Sequence, residues 1–415
     1  MSWLQGLLHR AGLPGTPGLT LRGWVMLAGG FAWCVVAWLM GQRDLFWPGL
    51  FLTLLPLASW AVLAAGGGRP RLVRTVTPLE VVTGEPVVDR LRVTSRGLTL
   101  GAAAEYVDEK PAAVLGRAVA SFPLGAGRGT HRFNLVLSPA WRGRHTLGPL
   151  RRTLTDGLGL ARASRVLSGT AEVLALPVTE PLAPLRDASG VGTSTDSTLL
   201  KTSLVGSDDV LIREYQPGDD VRRIHWRSTA RTGELMVRRE ERAWDPSAVV
   251  LLDNRAAAYS HDLPERRFEW LVSAAGSISV HLLGNGFSVA LTDTDAKGDD
   301  PAERALLGAR GILRRLASTE LSQTGTLSQA LSAAPTGVRG QLLIALLGRL
   351  NYEDVPVLAQ ARRDHRSCWA LVPSPGWISP DATRVLEAAG WRCLQVPEKT
   401  SVAQAWARLG EESAG

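Results

Sequence analysis

The stretch Ser247–Asp293, SAVVLLDNRAAAYSHDLPERRFEWLVSAAGSISVHLLGNGFSVALTD, predicts a strand, a helix and a second strand. It begins with a short apolar run, which is typical of a buried strand. From Pro264 to Leu283, apolar residues return at helical spacing on one side: Phe268, Leu271, Val272, Ala275, Ile278 and Leu282. Gly284 and Gly286 end this helix, and another apolar run follows. A strand that leads through a helix to a second strand favours an α/β unit with a parallel sheet.

The same alternation continues to the C-terminus. Further strands are expected at 342–347, 368–372 and 393–396, with helices at 300–317, 355–364, 379–389 and 401–409. We therefore expect residues 246–415 to form one Rossmann-like α/β domain, with helices covering both faces of the sheet. Ligands of such sheets bind beyond the carboxyl ends of the strands, so Asp253, at the end of the first strand, is a candidate site residue.

Residues 66–185 follow a different pattern and predict an antiparallel β-sandwich-like domain. Runs such as RFNLVLS (132–138) and VVDRLRVTS (87–95) alternate apolar and polar residues, as half-buried strands do. Residues 186–210 are rich in Gly, Ser, Thr and Asp and lack a periodic apolar face, which indicates a flexible linker. The predicted fold class is thus multidomain α+β.

Two apolar runs near the N-terminus predict a transmembrane helical hairpin at 23–65. They read GWVMLAGGFAWCVVAWLM (23–40) and LFWPGLFLTLLPLASWAVLAA (45–65), each close to the roughly 20 residues that a helix needs to cross a bilayer. A cleaved signal peptide is the competing interpretation, but the first run lacks a convincing cleavage site and a second run follows at once.

Basic residues flank the two runs and predict the orientation of the hairpin: Arg10, Arg22, Arg69, Arg71 and Arg74. Basic flanks remain on the cytoplasmic side of a membrane. We expect a multi-pass protein of the inner (cytoplasmic) membrane, with residues 1–22, both termini and the soluble domains in the cytoplasm.

The chain of 415 residues holds only three cysteines and has a formal net charge of +7. Disulfide frameworks and zinc sites are therefore not expected.

A dense mixture of charges, REYQPGDDVRRIHWRSTARTGELMVRREE (213–241), marks a signature segment that we place at 211–245. It predicts a strand, a Pro-Gly turn, a short helix and a second strand. The residues expected to give this segment a structural or interaction role are Arg213, Glu214, Tyr215, Gly218, Asp219, Asp220, Arg222, Ile224, His225, Trp226 and Arg231.

This run resembles the signature of the bacterial family known as domain of unknown function 58, whose members often begin with two membrane spans. The resemblance extends to RGRHTLGPLRRTLTDGLGL (142–160), where Gly157 stands in place of a common Pro, and to a C-terminal domain similar to von Willebrand factor A. It implies a partnership with a MoxR-type AAA+ ATPase, and also with a transglutaminase-like membrane protein, in assembly or remodelling at the cell envelope. It implies no enzymatic activity.

Von Willebrand A domains often bind Mg²⁺ through Asp-x-Ser-x-Ser after the first strand. Here the equivalent positions, 253–257, read DNRAA, so both serines are missing and Arg255 brings a positive charge to the place of the cation. No clear second acidic ligand follows LLIALLGRL (342–350). Asp293 and Asp295 are alternative ligands, although surface turns explain them better. Asp253 is thus expected to be a degenerate metal position, with no metal and no cofactor.

Three functions remain open from the sequence. A membrane-anchored, non-enzymatic scaffold or adaptor is favoured, in which Glu214, Asp219 and Asp220 pair with neighbouring arginines to hold the domains together. The alternative is an enzyme that uses Asp219, Asp220 and His225 in metal-dependent or acid/base chemistry. Nucleic-acid binding is disfavoured, because acids intersperse the arginines and no series of stacking aromatics accompanies them.

Overall fold

The computed structural model describes residues 17–66, 70–95, 101–122, 129–184, 211–214, 226–239, 247–259, 264–294, 307–333, 342–365, 367–373, 380–397 and 399–411. The chain divides into two compact units, Met1–Pro177 and Val178–Gly415. We refer to them as the N-terminal unit and the C-terminal unit. The predicted linker at 186–210 lies outside the described residues.

Two packed helices, α1 (Leu21–Leu39) and α2 (Arg43–Gly66), belong to the N-terminal unit. Both are long and apolar enough to cross a membrane, and most of their surface is exposed. Exposed indoles lie toward both ends of the pair, at Trp24, Trp38, Trp47 and Trp60, where interfacial tryptophans are enriched. This large apolar surface indicates association with a membrane.

The helical pair is joined to the β-strands of the same unit at one end. Strand β1 (Pro17–Leu19) pairs with a strand of the β module, and the Thr20 amide donates to the carbonyl oxygen of Leu160 at 2.8 Å. The indole of Trp60 donates to the carbonyl oxygen of Pro17 at 3.0 Å. Leu63 is buried in the core of the β module. The C-terminal turns of α2 therefore pack against the β-strands of the same unit.

The β module is a sandwich of two larger antiparallel sheets with a shared core, together with a small mixed sheet. Its strands are β2 (Arg71–Thr77), β3 (Glu80–Val82), β4 (Val87–Ser95), β5 (Ala103–Asp108), β6 (Val114–Gly116), β7 (Val119–Phe122), β8 (Gly129–Pro139), β9 (Gly143–Leu147), β10 (Leu150–Thr155), β11 (Ala161–Leu167) and β12 (Ala171–Leu176). One sheet has the order β1-β11-β10-β5-β7, a second has the order β2-β4-β8-β6, and a smaller one joins β3, β12 and β9. Alternate residues of both larger sheets enter one apolar cluster, as the period-two pattern predicts.

The C-terminal unit is built on a parallel sheet of five strands. These are β15 (Ser247–Leu252), β16 (Ser288–Asp293), β17 (Leu342–Leu346), β18 (Ser367–Pro373) and β19 (Trp391–Val396). Their spatial order is β16-β15-β17-β18-β19, and all neighbouring pairs are parallel. Nearly every residue of the inner strands is buried, which matches the continuous apolar runs of the sequence.

Helices accompany this sheet at bounds close to those expected. They are α4 (Pro264–Gly284), α5 (Ala309–Ser318), α6 (Leu327–Ser332), α7 (Asp354–Asp364), α8 (Pro380–Ala388) and α9 (Val402–Glu411). Two differences stand out. The helix expected from Asp300 is described only from Ala309, because 295–306 lie outside the described residues. The short α6 was not predicted, since six residues are too few to show helical periodicity.

The signature segment contributes β13 (Leu211–Glu214), α3 (Trp226–Thr232) and β14 (Met236–Arg239). The two strands pair in antiparallel fashion, and the Met236 amide donates to the hydroxyl of Thr229 at 3.0 Å. The predicted succession of strand, helix and strand is therefore present over the part that the structure describes.

Residues 178–184 differ from the predicted domain bounds, which assigned them to the β module. The hydroxyl of Ser273 on α4 donates to the Val178 carbonyl at 2.7 Å. The indole of Trp406 on α9 donates to the Ala183 carbonyl at 2.9 Å. This segment is thus hydrogen-bonded to helices of the α/β unit. No apolar periodicity announces such contacts, because they are hydrogen bonds of backbone groups and of the Glu180 carboxylate, which accepts from the Ala403 amide at 2.9 Å.

Candidate functional site

The candidate site lies where the strand order of the parallel sheet reverses, between β15 and β17. Asp253 directly follows β15, and the segment from Gly348 to Asp354 follows β17. If the five strands are numbered by their order along the chain, their spatial order is 2-1-3-4-5. This is one of the two common orders of doubly wound sheets. Ligands of these folds occupy the crevice at the reversal.

The guanidinium of Arg255 bridges the two strand ends at this crevice. Its Nε and Nη2 donate to the two carboxylate oxygens of Asp253 at 2.8 and 2.9 Å. Its Nη1 donates to Oδ1 of Asp354 at 2.8 Å. The side chains of Asp253, Asp354 and Arg255 are only 0%, 12% and 13% exposed. We call these three residues the Arg255 clamp. Planar, two-pronged donation of this kind is the geometry in which arginine binds carboxylates most strongly.

Backbone amides complete the coordination of both carboxylates. The amides of Arg255 and Gly348 each donate to Asp253 at 3.2 Å. The Asn351 amide donates to Oδ2 of Asp354 at 2.9 Å. A buried charge is tolerated only when its remaining hydrogen-bonding capacity is met. The clamp meets this condition with donors from the turn after β15 and from the loop after β17.

Close packing beneath the clamp fixes the positions of its backbone donors. The hydroxyl of Tyr259, which is fully buried, donates to the carbonyl oxygen of Asp253. A Cβ on Gly348 would lie 2.8 Å from the Cβ of Ala258 and 3.1 Å from Cζ of Tyr259. Only glycine therefore lets this loop approach close enough to donate to Asp253.

Asn254 ties the same corner to the neighbouring parts of the domain. Its Oδ1 accepts from the amide and the hydroxyl of Thr294, at 2.9 and 2.5 Å. Its Nδ2 donates to the carbonyl oxygen of Glu320 at 2.9 Å. Asn254 is wholly buried, so its side chain holds β16 and the segment after α5 against the end of β15.

Electrostatics keep Arg255 charged. Burial lowers the pKa of Arg255, but the hydrogen bonds and negative charge of Asp253, followed by those of Asp354, outweigh burial and raise that pKa above its ordinary value. Burial also raises the pKa of Tyr259, and the charge of Asp253 adds to this increase. Arg255 is thus a fixed cation and Tyr259 a neutral donor at physiological pH.

The guanidinium of Arg255 lies between the two carboxylates of this crevice. Two of its three guanidinium nitrogens face Asp253 and the third faces Asp354. No clear second acidic ligand was expected after the run 342–350; the structure places the carboxylate of Asp354 there, paired with Arg255. Sequence analysis missed it because Asp354 opens α7 instead of ending β17. Among the described residues, no group of three or more His, Cys, Asp or Glu side chains is arranged to hold a metal ion.

Asp293 has a structural partner instead of an open position. It is 6% exposed, and its Oδ2 accepts from Nη2 of Arg315 at 2.9 Å. This burial differs from the surface turn expected for it. Asp295 lies outside the described residues.

The predicted signature residues are described only in part. Arg213 and Glu214 lie on β13, opposite Val237 and Met236 of β14. Trp226 and Arg231 lie on α3, both exposed, and the ring of Trp226 is 69% exposed. The remaining signature positions, and with them the expected ion pairs of the segment, lie outside the described residues: Tyr215, Gly218, Asp219, Asp220, Arg222, Ile224 and His225.

Residues 211–355 match the family described as Protein of unknown function DUF58. The DUF58 segment contains β13, α3, β14 and the whole Arg255 clamp, and it ends one residue after Asp354. The resemblance drawn from the signature run is therefore supported for this part of the chain.

Other comparisons add little to the DUF58 match. Among curated proteins, none matches this chain. Similar solved structures include a cohesin module from a Clostridium perfringens family 33 glycoside hydrolase, which is 18% identical with a TM-score of 0.19 and covers 26% of this chain and 96% of that chain. A non-cellulosomal cohesin from Archaeoglobus fulgidus is 9% identical, with a TM-score of 0.16 and coverages of 24% and 92%. A FixG-related protein from Vibrio parahaemolyticus is 10% identical, with a TM-score of 0.17 and coverages of 26% and 94%. TM-scores this low carry no argument about this chain.

A second arginine and two aspartates are buried outside the DUF58 segment, in the β module. Nη2 of Arg74 contacts Asp89 Oδ2 at 3.1 Å and also contacts Oδ1 of Asp108. Nη1 of Arg74 donates to the carbonyl oxygens of Leu147 and Gly169 at 2.7 and 2.9 Å. We call Arg74, Asp89 and Asp108 the Arg74 cluster. Its side chains are between 0% and 4% exposed.

The Arg74 cluster leaves polar atoms of the guanidinium and of both carboxylates without hydrogen bonds. Among the described residues, Arg74 Nε, Asp89 Oδ1 and Asp108 Oδ2 are buried without a hydrogen-bond partner. Burial raises the pKa of Asp89 to about 6, against the lowering effect of Arg74. Burial likewise raises the pKa of Asp108. Arg74, one of the basic residues that follow the second apolar run, is thus buried and paired in the β module.

A signal for the Arg74 cluster was present in the sequence. In strand β4, Asp89 lies at an inward position between Val87 and Leu91, and in β2 Arg74 lies between Leu72 and Val76. A charge within the apolar half of a period-two pattern predicts a buried ion pair. Its partner on another strand becomes evident only from the fold.

Proposed function

We propose that this chain is a membrane-anchored, non-enzymatic scaffold or adaptor, and that it works with a MoxR-type AAA+ ATPase in assembly or remodelling at the cell envelope. The observation that carries the proposal is the Arg255 clamp. The crevice in which doubly wound domains bind ligands is bridged by the protein's own arginine, with both carboxylates engaged. Such a corner is suited to presenting a surface to another protein.

The loop after β17 supplies a surface of the required kind. Tyr352 is 79% exposed and lies between Gly348 and Asp354, whose contacts with the clamp hold both ends of the loop. The Arg349 amide donates to the Ala258 carbonyl at 3.0 Å. Aromatic rings on rigid loops are frequent anchors of protein interfaces, because little conformational entropy is lost on binding.

We also propose a domain type for the parallel sheet and an orientation for the helical pair in the membrane. We place a von Willebrand A-like domain at 246–415, with the Arg255 clamp as its degenerate metal position. Five parallel strands in doubly wound order, with Asp253 after the first of them, support this assignment. We place the helical pair in the inner membrane, with both termini and both soluble domains in the cytoplasm, on the strength of the basic flanks. A transglutaminase-like membrane protein is a further proposed partner.

Affinity purification of the full-length chain from membranes, followed by mass spectrometry, tests the adaptor function. We expect an AAA+ ATPase of the MoxR type among the recovered proteins. Tyr352→Ala is expected to lower recovery of this ATPase roughly tenfold or more, because truncation of an interface anchor costs at least about 1 to 2 kcal/mol. Its melting temperature should stay close to that of the wild type, because the ring is exposed.

Val385→Ala is the matched control, since Val385 is also an exposed apolar residue of the C-terminal unit, at 51% exposure. It should leave ATPase recovery unchanged. Absence of any AAA+ ATPase from the wild-type sample would contradict the proposed partner. Equal recovery with Tyr352→Ala would show that the loop after β17 is not the contact surface.

A further inference from the structure

One face of the sheet β2-β4-β8-β6 carries a band of exposed arginines. Arg71 on β2, Arg90 and Arg92 on β4, and Arg132 on β8 all point away from the core, since their strand neighbours on both sides are more buried. We call these four residues the arginine face. Arg92 lies directly opposite Arg132, and Arg90 lies opposite Asn134. Arg71 lies opposite Thr94, so it is diagonal to Arg92, and the four side chains form one continuous band.

The arginine face has no acidic counterpart of its own. Among the described residues, the positions of these strands that point away from the core hold no Asp or Glu. These outward positions are 71, 73, 75 and 77 on β2; 88, 90, 92 and 94 on β4; and 130, 132, 134, 136 and 138 on β8. The like-charged pair Arg92 and Arg132 is directly opposed, an arrangement that destabilises a sheet. A face that repels itself in this way is stabilised by external anions.

The band begins close to the apolar helical pair. Arg71 follows the last residue of α2, Gly66, by five positions, a distance that an extended chain covers in at most about 18 Å. The next outward residue of β2 is Val73. It lies opposite Arg92 of β4, which in turn lies opposite Arg132 of β8. The row after that, roughly 7 Å further on, contains Arg90. The positive charge is therefore concentrated in the half of the sheet that begins next to the predicted span.

We propose that the arginine face binds the anionic phospholipid headgroups of the membrane in which the helical pair is anchored. Guanidinium groups bind phosphate oxygens through two parallel hydrogen bonds. Each basic side chain near an anionic bilayer adds to binding, and the attraction extends about one Debye length. An acidic protein is the other class of anion, but the nearby apolar helices favour lipid. The contact restrains the β module against the bilayer.

Arginine modification by phenylglyoxal, read by peptide mass spectrometry, tests this contact in the full-length chain. The protein is placed in nanodiscs of phosphatidylcholine alone or of phosphatidylcholine with phosphatidylglycerol. We expect Arg90, Arg92 and Arg132 to react about fivefold more slowly in the anionic discs. The difference should vanish when salt is raised from about 0.1 M to about 1 M, because the screening length falls from about 10 Å to about 3 Å. Arg266 and Arg363, exposed residues of the C-terminal unit, serve as internal references.

A pair of variants separates headgroup binding from general charge. The double variant Arg92→Gln and Arg132→Gln should lower the phosphatidylglycerol that co-purifies from mixed-lipid membranes by about half or more. The double variant Arg266→Gln and Arg363→Gln removes the same charge and should leave retention unchanged. Removing the opposed pair should not lower the melting temperature. Equal modification rates in the two discs, or protection that requires an added acidic protein and not anionic lipid, would overturn the proposal.

Discussion

The Arg255 clamp and the Arg74 cluster contain the same groups, one arginine and two buried aspartates, yet they differ in the state of their carboxylates. In the clamp all three nitrogens of Arg255 face carboxylate oxygens. In the cluster a single nitrogen of Arg74 faces both aspartates, while the other terminal nitrogen bonds two backbone carbonyls. The hydrogen-bonding groups of the clamp are thus paired, whereas Arg74 Nε and one oxygen of each carboxylate in the cluster have no hydrogen-bond partner among the described residues.

Backbone amides explain most of this difference. The clamp lies at strand ends, where the amides of Arg255, Gly348 and Asn351 are not used by the sheet and donate to the carboxylates. Asp89 and Asp108 lie within or at the end of strands of the sandwich, where ladder hydrogen bonds use the amides. The same three side-chain types therefore form fully hydrogen-bonded ion pairs at the strand ends. Inside the sandwich they leave two aspartates whose pKa values are raised.

The largest expected effect is the loss of the clamp's cation. Arg255→Ala leaves Asp253 buried and unpaired, and removal of one partner of a buried pair costs about 3 to 5 kcal/mol. Denaturant unfolding of the full-length chain in detergent measures this loss, and hydrogen exchange should locate it at the amides of β15 and β17.

A second substitution identifies the cause. Adding Asp253→Asn to Arg255→Ala removes the stranded charge and should recover about 1 to 3 kcal/mol. Additive losses in the double variant would show that the carboxylate is not the origin of the effect.

The next effect concerns pH and the Arg74 cluster. The folded-state pKa of Asp89 is about 6, above its model-peptide value of 3.8, so the native state binds this proton more tightly than the unfolded chain. The resulting stabilisation is fully present below about pH 3.8 and is lost as pH rises through about 6. Asp89→Asn should remove this dependence, which amounts to on the order of 2 to 3 kcal/mol.

Unfolding free energies of wild type and Asp89→Asn, measured from about pH 4 to about pH 7, test this assignment. The stability of the wild type relative to the variant should fall across this window. Glu105→Gln is the control, since Glu105 is half-exposed and its carboxylate lies 3.5 Å from the guanidinium of Arg162 at the surface. Parallel curves for wild type and Asp89→Asn would mean that Asp89 is ionised throughout the window.

A smaller effect is expected from the backbone beneath the clamp. Gly348→Ala places a Cβ against Ala258 and Tyr259 and displaces the amide that donates to Asp253. We expect a loss of about 1 to 2 kcal/mol, the cost of modest overpacking. Gly284→Ala is a matched control, because nothing lies within 4 Å of a Cβ built there. Equal stability of the two variants would contradict the close approach.

Much of the secondary structure follows from local patterns. The apolar runs of β15 and β17 and the helical spacing of α4 place these elements within one or two residues of their bounds. Where the sequence has no periodic signal, prediction fails. The six-residue α6 is too short, and residues 178–184 bind their helices largely through backbone groups that every residue possesses.

The candidate site was predictable in part. Asp253 and the charge of Arg255 were evident from the first strand and its following turn, because carboxyl ends of parallel strands are the expected place for polar side chains. Asp354 was not, since it is 99 positions from Arg255 along the chain. The ion pairs expected within the signature segment stay a prediction.

The sequence by itself determined where most of the strands and helices form, that two helices are apolar enough for a membrane, and that an arginine follows Asp253 in the turn after the first strand. These properties are local, because they depend on residues within a few turns of one another. Only the tertiary structure decided which charges meet. Strand order brings Asp354 to Arg255, Asp108 to Arg74 and Arg132 beside Arg92. Such pairings depend on contacts between distant segments, and hydrophobic periodicity does not encode them.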